Sequence, residues 1–288
     1  MASTITRKDI RESIRQNLES WPVIGKLKQP MDQSGGTLNI EDDLHKNFAA
    51  GKTLIEIGQE VMTVVDIPKK FPESVRVLRG SKGSVQEPHG IQSSVKIFPS
   101  WGWTDFELNK RIIPPAIRWL KPMAWKVSNS SDFTWSANTK EKAAPSGVSY
   151  PDGNYIILLQ HKNSSGSYFD FSGWHLIGGT LHFREQAAAD RTLRAVEQRF
   201  QANITEDSTA LDNDDFEQAI VLYACHLAMN SLKTNRVRFA EYAAALNDRT
   251  STPDELIRMA FDFKNQAVLA REEAFRQLPP GFAKTYVP

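Results

Sequence analysis

The sequence predicts an α+β protein with a central, mainly antiparallel β-sheet flanked by N-terminal and C-terminal helices. Three observations carry this. Apolar residues recur at helical spacing near both ends of the chain, and short apolar runs broken by glycine and proline fill residues 71 to 135. The 288 residues, 40% apolar and 24% charged, suffice to bury one large core or two ordinary ones.

The first helix is expected over Ile5 to Ser20, with Thr6 as N-cap and Ile10, Ile14 and Leu18 on one face. Arg7, Lys8, Arg11 and Arg15 fall elsewhere, on the expected surface, and Pro22 ends the element. A Gly-Gly loop over residues 31–39 leads to a short helix from Ile40 to Phe48, stopped at Gly51. From Leu54 to Val65 the apolar residues are too dense for an exposed face, so a buried helix or a strand pair fits.

From Phe71 to Trp135 the short runs around Val75–Leu78 and Val95–Phe98 predict antiparallel strands. Ser128 to Tyr150 is polar and reads as a linker, the preferred boundary between lobes. The strands are expected to resume with Asn154 to Gln160 and Trp174 to Phe183, in one sheet, with Ala187 to Phe200 as a helix packed on it. An acidic turn after Ile204 caps a helix from about Phe216 carrying Ala219, Ile220, Tyr223, Leu227 and Leu232. Arg238 to Leu246 forms another helix, and Pro253 opens a last one running to about Leu278. The expected organisation is a helical N-terminal region over 1–66, a β-rich core over 67–204 and a helical C-terminal region over 205–288.

Composition narrows the function classes. A net charge of +1 selects no partner by itself. The single Cys225, set among apolar helix residues, forbids an internal disulfide, reads as buried and inert, and favours a reducing compartment. No apolar run is long enough to span a bilayer, and the opening MASTITRKDIRES lacks the apolar core of a signal peptide, so a cytoplasmic protein without a membrane partner is expected.

Between Ile67 and Val127 there are eleven Lys or Arg against four acids, and five of the seven tryptophans lie between Trp101 and Trp135. Cations interleaved with aromatics can follow phosphates and stack bases; equally, the tryptophans can be core and the cations solvated. The phosphate-binding candidates on the first reading are Lys69, Lys70, Arg76, Arg79, Lys110, Arg111 and Arg118. His161, His175 and His182 lie in one region and offer a further metal-ligand grouping if strand pairing brings them together.

At Trp174-His-Leu-Ile-Gly-Gly-Thr-Leu-His-Phe-Arg-Glu185 the sequence resembles the entrance to a Nudix box, the strand-loop-helix signature of enzymes that hydrolyse nucleoside diphosphates linked to another group. Gly179 and Glu185 have the box's separation, and Glu197 falls on the first of its paired glutamates. Leu193, Arg194, Gln198 and Phe200 replace the box arginine, the ligand glutamate, the second paired glutamate and the closing glycine. The resemblance implies a domain over residues 150–204 that binds or hydrolyses a nucleotide or nucleotide-sugar. Mg²⁺ would be the cofactor, Glu185 and Glu197 the catalytic and metal-binding carboxylates with Asp190 as an extra one, and Gly178 and Gly179 the phosphate approach. The same helix also reads as an ordinary amphipathic one with Ala189, Leu193, Val196 and Phe200 inward.

Leu256-Ile-Arg-Met-Ala-Phe-Asp-Phe263 is similar to the L-x-R-x-A-F-D-F segment of coat proteins from flexible filamentous plant viruses. That resemblance implies an Arg258 and Asp262 able to pair at i,i+4 beside an RNA groove. Together with the basic middle, it makes an RNA-binding structural protein, contacting single-stranded RNA, the alternative to the nucleotide-binding domain.

Overall fold

The computed structural model describes residues 5–41, 44, 47–68, 74–120, 125–145, 155–200, 204, 206–211, 214–233, 235–245 and 253–277. Its secondary structure is α+β, with antiparallel sheets between helices at the two ends of the chain, as the sequence predicts. The chain forms two compact units. One is built from residues 4–120 and 203–288, the other from residues 121–202. The terminal helices therefore belong to one unit, and the division differs from the three sequential regions expected.

In the larger unit, helix α1 (Arg7–Leu18) starts on a capping box in which the Thr6 side chain receives the Asp9 amide and the Asp9 side chain receives the Thr6 amide. Ile10, Ile14 and Leu18 are buried as expected, but so are Arg11 and Arg15. Those two arginines are inside because Asp105 and Asp207 meet them there.

Strands β1 (Val23–Lys26), β2 (Thr37–Asn39), β3 (Thr53–Ile57), β4 (Glu60–Asp66), β5 (Ser74–Leu78) and β6 (Ser94–Pro99) form one sheet in the order β1-β6-β3-β4-β5-β2. All of its pairings are antiparallel. The dense apolar run after Leu54 is thus a strand pair, turned at Gly58, whose φ of 61° glycine adopts without strain. Ile55, Ile57, Met62, Val64, Val75, Val77, Val95 and Ile97 supply one buried face, while Leu54, Val61 and Phe98 pack on the other beside Phe106. Of the short helix expected from Ile40 to Phe48, residues 42, 43, 45 and 46 lie outside the described residues, and Ile40 instead forms an isolated antiparallel bridge with Leu27.

A helix interrupts the region expected to be all β. It comprises α2 (Asp105–Glu107), a π-helical turn (Leu108–Ile112) and α3 (Ile113–Leu120). Thr104 and Glu107 form a capping box at its start, and Leu108, Ile112, Ile113, Ala116, Ile117 and Leu120 turn inward. Pro114 and Pro115 disguise it, because proline lacks the amide a helix interior needs. The chain accommodates them through the wider turn, the Ile113 amide reaching five residues back to Leu108.

The smaller unit holds β7 (Trp125–Asn129), β8 (Phe133–Trp135), β9 (Glu141–Ala143), β10 (Tyr155–Lys162), β11 (Tyr168–Phe171), β12 (Trp174–Ile177), β13 (Thr180–Phe183) and β14 (Arg191–Phe200). One sheet runs β11-β10-β14-β7 with β8 also paired to β14, and a second runs β12-β13-β9. Three expectations are corrected here. Residues 128–145 carry strands rather than a linker, β10 and the β12–β13 hairpin sit in different sheets, and the helix expected over 187–200 is irregular up to Asp190 and a strand from Arg191 on. β14 lies between β10 and β7, so backbone pairing on both sides overrides residues that are good helix formers. Leu193, Ala195 and Glu197 alternate into the interior, where Leu193 and Ala195 join Trp135, Leu159, Leu181 and Phe183.

The chain then returns to the larger unit as α4 (Glu217–Lys233), α5 (Arg236–Ala245) and α6 (Pro253–Gln277). α4 packs against α1, α3, α5 and α6, which is why it is buried on most of its circumference.

Candidate functional sites

Gly178 and Gly179 form the two-residue turn between β12 and β13, with φ of 57° and 80°. Both signs suit the tight hairpin turn that glycine makes best, so the pair closes a hairpin instead of opening a helix. Glu185 follows β13 and is exposed, and Asp190 accepts the Ala137 amide at 2.7 Å just before β14. Glu197 is completely buried on β14, opposite Ile156 on one side and Ser128 on the other. On a helix Asp190 and Glu197 would stand two turns apart; an extended chain rising about 3.3 Å per residue separates them by roughly 20 Å. Among the described residues no group of three or more His, Cys, Asp or Glu can hold a metal ion. The carboxylates expected to ligate Mg²⁺ are therefore not brought together. His175 and His182 do meet, as cross-strand partners with ring centroids 5.3 Å apart, while His161 stands on β10 against Phe169 and Phe171.

The phosphate-binding candidates separate into groups. Lys69 and Lys70 lie outside the described residues. Arg79 is buried and spent on structure. It grips Glu60 through Nε–Oε1 at 2.9 Å and Nη2–Oε2 at 2.6 Å, and it donates to the carbonyls of Asp32 and Glu87. Arg76 on β5 and Arg258 on α6 are exposed, and Arg258 makes no ion pair with the equally exposed Asp262. Lys110, Arg111 and Arg118 project from the helix over 105–120 and are all exposed. Arg111 donates to the Lys82 carbonyl at 2.7 Å, and none of the three has a carboxylate partner among the described residues.

Among the described side chains, Trp101, Trp103, Trp119 and Trp135 do not offer open stacking platforms. Trp103 and Trp135 are buried, Trp119 lies parallel to Tyr223 with centroids 4.0 Å apart beneath the Arg271 guanidinium, and Trp101 packs edge-on to Tyr242.

A polar cavity of about 510 Å³ in the larger unit went unseen in the sequence. Its walls include Arg7, Glu56, Lys96, Asp105, Lys110 and Asp207. The Glu56 carboxylate accepts the amides of Asp105 and Phe106, both at 2.7 Å, and so caps the helix that begins there. Burial and the neighbouring Asp105 charge push the Glu56 carboxyl up to about 7, against the opposing pull of those two amides and of Lys96. Asp105 moves the other way: burial would raise it, but Arg15, Lys96 and Arg11 hold it below its ordinary value. Nothing local marks this pair, since Glu56 sits in an apolar strand and its partners come from three distant segments.

No family model matches the chain, and no curated protein matches it either.

A second cavity, about 680 Å³, lies within the smaller unit. Trp135, Phe171, Trp174 and Phe183 supply aromatic walls, and Arg184, Glu185 and Arg191 stand at its polar side. Glu185 is the one residue of the expected Nudix set found there, beside arginines rather than carboxylates.

Proposed function

We propose that the protein binds the phosphate backbone of single-stranded RNA in a structural role, through the helix over 105–120. One observation supports this reading above the rest. Among the described residues, the buried arginines of the larger unit, Arg11, Arg15, Arg79 and Arg238, each have a carboxylate partner, whereas Lys110, Arg111 and Arg118 are exposed without one. Arg111 and Arg118 are seven residues apart, about two turns, so they share one side of the helix. Such cations release counterions when they meet phosphates, and affinity then falls with salt. With Trp101, Trp103 and Trp119 drawn into packing, the contact is to backbone and carries little sequence preference. The diphosphate-hydrolase alternative loses the helix on which its carboxylates would stand.

The test is a polarisation titration of fluorescent single-stranded RNA between about 50 and 200 mM salt, where each phosphate contact contributes about 0.7 to the logarithmic slope. The wild type is expected to show a slope of about two or more, and replacing Lys110, Arg111 and Arg118 together with alanine is expected to remove about two units of it. Absence of binding at low salt, or an unchanged slope in the triple variant, overturns the reading.

A further inference from the structure

The aromatic cavity of the smaller unit has the makings of a small-molecule site. Three of its walls are interlocked rings: Trp135 lies over Phe183 at 4.0 Å and 20°, and Phe171 meets both edge-on at 5.6 and 6.0 Å. The frame is held by backbone and indole hydrogen bonds, from the Trp135 Nε1 to the Thr139 carbonyl at 3.1 Å and from the Arg184 amide to the Gly173 carbonyl at 2.9 Å. Trp174 opposes Phe183 across the β12–β13 ladder, and Arg191 opposes Trp135 across β14 and β8. Trp174 and Phe171 are only half-buried, so apolar ring surface remains for a ligand.

The polar side is cationic. Arg184 and Arg191 are exposed, and neither makes an ion pair among the described residues. The Arg191 guanidinium stands 5.8 Å from the Trp135 ring centroid, which orients its fork without neutralising it. A volume of about 680 Å³ lies in the ordinary range for small-ligand pockets and has room for one nucleotide-sized group. Two forked donors suit a phosphate, which accepts from both. The Glu185 carboxylate repels that group but accepts from an exocyclic amine, and the Gln186 amide can do either.

We propose that this cavity binds a nucleoside monophosphate with an amino-bearing base, the base against Trp174 and Phe171, the phosphate held by Arg184 and Arg191, and the base amine given to Glu185. The nucleotide can be free or the 5′-phosphorylated end of a strand, because the recognised chemistry is the same. The site is independent of the cationic helix in the other unit and does not rest on the RNA-backbone reading.

Calorimetric titration of the full chain with adenosine 5′-monophosphate, adenosine, inorganic phosphate and a 5′-phosphorylated trinucleotide tests it. The monophosphate is expected to bind more tightly than about 1 mM, and adenosine or phosphate alone at least about tenfold more weakly. Arg184→Ala with Arg191→Ala is expected to weaken the monophosphate at least about tenfold while leaving adenosine nearly unchanged; Glu185→Gln is expected to reduce preference over uridine 5′-monophosphate. Trp174→Phe, which keeps a ring, is expected to bind better than Trp174→Ala. Trinucleotide binding equal to the monophosphate assigns the site to strand ends, and binding of the monophosphate alone assigns it to free nucleotide; both support the proposal. No monophosphate binding at millimolar concentration, phosphate binding as tight as the monophosphate, or indifference to the arginine pair in a variant with wild-type circular dichroism overturns it. Lys110, Arg111 and Arg118 replaced by alanine should leave monophosphate binding unchanged, so failure of either reading is seen separately.

Discussion

Arg79 and Glu60 form a two-pronged ion pair inside the larger unit, with Nη2–Oε2 at 2.6 Å and Nε–Oε1 at 2.9 Å, and Glu60 is fully buried. Glu60 also accepts the Glu87 amide at 3.0 Å and meets His89 Nε2 at 2.8 Å, so one carboxylate ties β4 and β5 to the loop over residues 80–93. Burial by itself raises the Glu60 carboxyl, but the Arg79, Glu87 and His89 hydrogen bonds outweigh it and leave it below the ordinary value. Arg79→Met strands that carboxylate in the interior, where a lost partner costs about 3–5 kcal/mol. Urea unfolding is expected to show that loss and to recover part of it in Arg79→Met with Glu60→Gln; an unaffected midpoint in the single variant would disprove the network's role.

Glu56 makes stability depend on pH in a particular window. Its folded-state carboxyl titrates at about 7, above the ordinary 4.5, so between those values the folded chain holds a proton that the unfolded chain has released. Stability from this group is complete below about pH 4.5 and is lost as the pH rises through about 7, a swing on the order of 3 kcal/mol at most. Glu56→Gln removes the titration, at a separate cost, since an amide nitrogen cannot accept the second backbone amide. Unfolding free energies at pH 5 and 8 are expected to differ more in the wild type than in Glu56→Gln. Equal differences count against the assignment.

Cys225 is wholly buried in α4, and burial pushes its thiol up to about 12. Only the thiolate reacts with alkylating reagents, so the native protein is expected to resist maleimide and to label fully in urea. Rapid native labelling would show that α4 opens from its neighbours.

Magnesium provides a check on the smaller unit. Glu185, Asp190 and Glu197 are dispersed by the extended β14, so saturating Mg²⁺ should move the melting temperature no further than an equal ionic strength of NaCl. Phosphate release from a nucleoside diphosphate sugar should be indistinguishable with and without chelator. A Mg²⁺-specific rise in melting temperature, abolished by Glu197→Gln, would restore the metal-site reading.

Local pattern determined much of the architecture. The dense apolar run after Leu54 leaves helix and strand pair open, but Thr6 announces the start of α1, and the spacing from Phe216 and the Pro253 first turn mark α4 and α6. Each of these depends on neighbours a few residues away, which is the range over which capping and periodicity act. The mixed α+β class followed from them. What tertiary structure decided is seen where one local pattern admits two outcomes. Arg191–Phe200 has helix-forming residues at helical spacing, yet β10 and β7 offer its backbone partners on both sides and it is a strand. Arg79 and Arg111 belong to the same basic stretch, but only Arg79 meets a buried carboxylate, from a residue 19 positions earlier, and is withdrawn from solvent. The two cavities were likewise invisible in the chain's order. The first draws its walls from segments spread between Arg7 and Asp207 and the second from Trp135 and residues 171–191, and a side chain's charge and exposure follow from what folding places next to it.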